Sequence, residues 1–187
     1  VVTRDNRDHH EFPTRGSKFT WESTFSGNIL GGNEAFFKHV LNFEWFSPTF
    51  WKFVLTSSFK IGVIQTLENL DNQRSIIPFD EKFIMGGNGM PYGNMLRGYP
   101  DNSISPGPTG GNALLRSVTE FRVPISENPV IYGLVFAEMG NVWNTVNMTE
   151  SFDIPRDGAF SLKRSAGVGI RFYMPMMGVL GFDMGYG

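Results

Sequence analysis

The sequence predicts an all-β chain, an antiparallel transmembrane β-barrel represented here by about seven strands, with a long loop inserted into the lumen. Three observations predict it. Apolar and polar residues alternate with a period of two through most of the chain, the pattern of strands with a different environment on each face. Several alternating stretches run to about ten residues, long enough to cross a bilayer when tilted and longer than the roughly five or six of ordinary soluble strands. The connections alternate between short turns and long loops, which puts all the short ones at one end of an antiparallel sheet, as in outer-membrane barrels. A soluble β-sandwich or lipocalin-like barrel produces the same alternation, but neither strand length nor loop asymmetry is expected of it. A composition with 18 Phe and 22 Gly in 187 residues also suits strands, bulges and turns.

Each element has its own pattern. In Lys18–Phe25, Phe19, Trp21, Ser23 and Phe25 oppose Lys18, Thr20, Glu22 and Thr24. In Phe37–Trp45, Phe37, Leu41, Phe43 and Trp45 oppose Lys38, Val40, Asn42 and Glu44. Lys52–Val63 sets Phe53, Leu55, Phe59, Ile61 and Val63 against Lys52, Thr56, Ser58 and Lys60. Ala113–Val123 places Arg116, Glu120 and Arg122 opposite Leu115, Phe121 and Val123. Ile131–Val142 is more mixed, with Glu138 its only charge. Leu162–Phe172 and Val179–Tyr186 put Val168, Ile170, Leu180, Phe182 and Met184 opposite glycines, Arg171 and Asp183. Short Pro-bearing turns fall at Ser47–Trp51, Pro124–Val130 and Met174–Gly178, and long loops at Ser26–Ala35, Ile64–Gly111 and Trp143–Ser161. Trp45, Phe46, Phe50, Trp51, Trp143 and Tyr173 lie near strand ends, where aromatic girdles meet the membrane interfaces.

Bulk composition narrows the function. A net charge of −2 argues against nucleic acid as a partner. With no cysteine there is no disulfide framework, thiol nucleophile or thiolate metal site. No apolar run of about 18 residues predicts a transmembrane helix. The opening VVTRDNRDHH is not a signal peptide, so an exported precursor is expected to carry its leader elsewhere. Bacterial barrels have even strand numbers, and an open sheet leaves unpaired edges in lipid. The odd count therefore predicts part of a larger barrel.

The connection at residues 64–111 is the candidate functional element, because loops of that length in compact domains are usually functional or disordered. Its stretch Pro78–Gly111 carries one arginine, in Leu96-Arg97-Gly98-Tyr99, and acidic residues follow on the next strands, Glu120 beside Arg116 and Arg122, and Glu138 after an apolar stretch. A charge in such a stretch needs a partner, and a guanidinium can bridge two carboxylates. Gly86, Gly87, Gly89 and Gly98 allow sharp turns in a narrow lumen. The residues alone leave two readings open: a loop that gains little from packing and is held by its arginine, or an exposed turn bearing Arg97 with Glu120 facing water. Weaker patterns lead elsewhere. Asp5, Asp8, His9, His10 and Glu11 read better as a polar turn than as a metal site. Asn147-Met-Thr is a glycosylation sequon with no expected use in a bacterial setting. Gly86-Gly-Asn-Gly lacks the Lys-Ser/Thr of a phosphate loop. No catalytic residues, no enzyme activity, and no cofactor or metal are expected.

Five segments resemble, in order, the family of bacterial outer-membrane assembly barrels: Thr3–Phe19, PFDEKFIMGGNGM followed by Met95–Tyr99, Gly110–Ile125, Val135–Trp143 and Ser165–Pro175. The resemblance implies that the chain is the C-terminal part of the barrel, strands nine to fifteen of sixteen and the tail of strand eight, and that residues 64–111 are an extracellular loop. It implies that Arg97 reaches the lumen and pairs with Glu120 and Glu138, although the family usually has Asp at the latter. The implied function is folding and inserting β-barrel proteins into the outer membrane. Implied partners are unfolded outer-membrane β-barrel clients, assembly-complex lipoproteins and outer-membrane lipids. A related two-partner-type translocation barrel and a passive porin are the alternatives.

Overall fold

The computed structural model describes residues 1–27, 34–67, 77–145, 161–174 and 176–187. Eight strands form one sheet in strict chain order, every neighbour antiparallel: β1 (Val2–Asp5), β2 (Gly16–Ser26), β3 (Phe36–Pro48), β4 (Val54–Thr66), β5 (Ala113–Glu127), β6 (Val130–Trp143), β7 (Lys163–Met174) and β8 (Gly178–Tyr186). The seven long strands are those expected, and the four-residue β1 stands where the strand-eight tail was implied. β1 and β8 form the open edges.

The alternation sorts side chains onto two faces. Trp21, Leu41, Phe43, Phe59, Ile61, Val135, Val168 and Phe182 all stand exposed on the outer face. A soluble globule would turn these rings inward. Lysines, arginines, acids and small residues share the inner face with buried apolar residues such as Val40, Leu114, Leu134 and Phe136. Among the described residues no helix is long and apolar enough to cross a membrane.

The strands run further into the expected turns at Ser47–Trp51 and Pro124–Val130, β3 ending at Pro48 and β5 at Glu127, and two differences bear on the long loop. β4 continues to Thr66, where residues 64–111 were expected to be loop, so the connection to β5 is residues 67–112. The alternation breaks at Val63-Ile64 because both faces are apolar there. Ile64 pairs with Lys38, yet it is fully buried beneath the loop. Parts of the loops expected at 26–35, 64–111 and 143–161, with Asn147, lie outside the described residues.

The second difference is energetic. The loop was expected to gain little from packing, but it builds the main core of the chain. Phe36, Val40, Ile64, Leu114 and Val142 on the inner face meet Phe83, Met85, Leu96 and Ile104 from the loop. Gly62 makes room for this, because a Cβ there would collide with the Phe83 ring. Backbone pairs fix the loop's path: Phe83 N–H donates to Gly111 O at 2.8 Å, and Ile104 N–H to Met85 O at 2.8 Å. Burying side chains of this size contributes about 1.5–3 kcal/mol each.

Candidate functional site

Arg97 sits on the inner face, 5 % exposed, where the loop crosses β5, β6 and β8. Local backbone geometry brings it there. Gly86, Gly87, Gly89 and Gly98 all have positive φ, at 133°, 52°, 71° and 87°, a region that side chains with a Cβ disfavour. Gly98 also lies against the end of β8, where a Cβ would come within 2.8 Å of the Tyr186 carbonyl carbon. Leu96 anchors one side of the tip in the apolar core. The Tyr99 hydroxyl anchors the other, donating to Arg164 O at 2.9 Å.

The guanidinium makes a directed set of contacts. Nε donates to Glu138 Oε1 at 2.7 Å and Nη2 to Glu120 Oε1 at 2.8 Å. The Arg97 backbone N–H donates to Glu138 Oε2 at 2.8 Å, so both oxygens of that carboxylate are held by one residue. Nη1 lies 3.4 Å from Asp183 Oδ2. The Phe136 ring lies beneath the guanidinium, 3.6 Å from its central carbon, a cation–π contact in a water-poor setting. The structure thus brings Arg97 together with both expected glutamates.

Each carboxylate has a second arginine from the strands. Arg116 Nη2 donates to Glu138 at 3.2 Å, Arg122 Nη2 to Glu120 at 3.0 Å, and Arg171 Nη1 and Nη2 to Asp183 at 2.6 and 2.8 Å. Four arginines therefore serve three carboxylates. The Glu138 side chain is fully buried. A buried ion network is weak evidence for net stability, but removing a buried carboxylate such as Glu138 leaves uncompensated positive charge, at about 3–5 kcal/mol. The site is therefore a positional lock more than a source of affinity.

Sequence reasoning missed Asp183, Arg171 and Phe136. The first two carried a usable signal. Asp183 is the only charge in β8, as Glu138 is in β6. Phe136 carried none, because an inward-facing aromatic reads as ordinary core until its partner is known.

The polar turn at residues 6–15 holds itself. Desolvation works against ionisation, but the Thr14 hydroxyl and the amides of Arg15, Thr14 and His9 hold the Asp8 carboxyl down at about 2. Among the described residues no three His, Asp or Glu side chains are placed to hold a metal.

The family model for the Omp85 superfamily domain matches residues 1–187. The outer membrane protein assembly factor BamA of Nitratidesulfovibrio vulgaris is 28% identical over 190 residues, covering 98% of this chain and 22% of the relative. The crystal structure of BamA from Haemophilus ducreyi lacking POTRA domains 1-3 superposes with a TM-score of 0.76 at 22% identity, covering 98% of this chain and 37% of that one. The chain thus spans about a fifth of the curated relative and just over a third of the solved one.

Proposed function

This chain belongs to the Omp85 superfamily, and we propose that it forms the loop-bearing wall of a barrel that folds and inserts other β-barrel proteins into the bacterial outer membrane. It is a segment of an integral outer-membrane β-barrel. Within such a barrel β1 is the tail of strand eight, and β2–β8 are strands nine to fifteen of sixteen. The work is mechanical, with no covalent step and no cofactor. Its partners are unfolded barrel clients, the lipoproteins of the assembly complex and the surrounding lipids.

The observation that carries this reading is the Arg97 cluster, which ties one loop to β5, β6 and β8 at once. A loop anchored across several strands fixes their relative tilt. That stiffness is what a barrel needs if it is to open elsewhere and pair its free edge with an incoming strand.

The test is made in the full-length protein, in cells depleted of their own assembly factor. Arg97→Glu should lower the amount of folded outer-membrane barrels, and adding Glu138→Arg should restore part of it. Unimpaired assembly with Arg97→Glu would overturn the reading. Loss of a single secreted passenger, with barrel assembly intact, would transfer it to the translocation relatives.

A further inference from the structure

The outer face of β2, β3 and β4 is apolar or hydroxylated at every position but two, His39 and Gln65 at the upper end of β4. His39 is the only ionisable side chain there, and it projects on the lipid side of β3 between Phe37 and Leu41. An ionisable side chain at membrane depth is costly and calls for a function. His39 does not stand alone. Its Nδ1 lies 2.6 Å from Ser23 Oγ, on the facing residue of β2. Three rings surround it, with centroids 6.1 Å away for Trp21, 5.7 Å for Phe25 and 5.2 Å for Phe37.

Depth identifies the surroundings. Only three residue pairs separate Ser23–His39 from the top of the β2–β3 ladder. That is about 10 Å along the strand and roughly 7 Å along the membrane normal at barrel tilt. This end bears the long loops, so it faces outward from the cell. The contact accommodates either tautomer; in the one where the Ser23 hydroxyl donates to Nδ1, the imidazole carries its proton on Nε2 and keeps an N–H donor for another group. The pair lies where the apolar band meets the headgroups, within reach of lipid phosphate oxygens.

We propose that His39 and Ser23, framed by Trp21, Phe25 and Phe37, form a binding site for the phosphate of an outer-leaflet lipid headgroup. The rings pack against the upper acyl segments, and the imidazole N–H donates to a phosphate oxygen. Ser23 acts by occupying Nδ1, which orients the ring and leaves Nε2 for the phosphate. The site is on the opposite face of the wall from the Arg97 cluster and does not depend on the insertion activity.

The full-length protein in detergent micelles provides the test, by native mass spectrometry titrated with phosphatidylglycerol or with diacylglycerol of the same acyl chains. The tightest bound phosphatidylglycerol should weaken about tenfold in His39→Leu, less in Ser23→Ala, and least in His39→Gln, which keeps an N–H donor. Diacylglycerol, which has the same esters and no phosphate, should bind weakly to all four proteins. Equal retention of phosphatidylglycerol by the wild type and His39→Leu overturns the proposal. So does equal retention of the two lipids by the wild type. An unchanged melting temperature in His39→Leu separates a lost site from a lost fold.

Discussion

The tip and the base of the long loop are held by opposite kinds of force. At the base, Phe83, Met85 and Ile104 sit among inner-face side chains of β3–β6. That packing is non-directional and tolerates small shifts. At the tip, Arg97 makes contacts of 2.6 to 3.4 Å to carboxylates on three strands, and it tolerates almost none. The base keeps the loop inside the sheet's curve, and the tip fixes its register. A loop held only by its base would be buried but free to slide, and one held only by its tip would be aligned but weakly bound.

The sharpest way to break this division is to remove Glu138. Glu138→Ala leaves four arginines facing two carboxylates, and thermal unfolding of the full-length protein should show a loss of about 3–5 kcal/mol. Arg97→Ala should cost clearly less, because the three strand arginines still balance the three acids. Equal losses would mean that the arginine, not the charge balance, carries the tip. At the base, Met85→Ala should fall near the lower end of roughly 2–5 kcal/mol. It should leave crosslinking between positions 98 and 186 intact, because register belongs to the tip. Asp183→Asn weakens the longest of the three Arg97 contacts and the more exposed pair with Arg171, and should cost about 1–2 kcal/mol by the same melting assay.

The smallest effect tests the exposed turn, where neither force operates at full strength. The Asp8 carboxyl titrates below its usual range, so its contribution is complete above about pH 4 and disappears as pH falls toward 2. Pepsin cleavage near Phe12 should therefore rise over that interval in the wild type. In Asp8→Asn it should already be high at pH 4.

Much of the wall was legible in the sequence because alternation reports a face, and a barrel wall is little else. The seven long strands follow from it, and so do the exposed Trp21, Phe43 and Phe59. Ile64 failed because an apolar residue aimed at a buried loop breaks the alternation in the same way as a strand end. Arg97, Glu120 and Glu138 stood out as charges in apolar surroundings. The packed base did not, since Met85 and Ile104 are spaced by glycine-rich turns with no period. Asp183 obeyed the same rule as Glu138 but shares its face with Gly181 and Gly185, which masked its isolation.

The second arginine on each acid has a consequence for the order of assembly. Glu120, Glu138 and Asp183 already have cationic neighbours on the sheet itself. The wall can therefore close before the loop comes in, with no naked negative charge waiting in its interior. The loop becomes a late arrival, and withdrawing it returns the wall to neutral pairs rather than to a ruin.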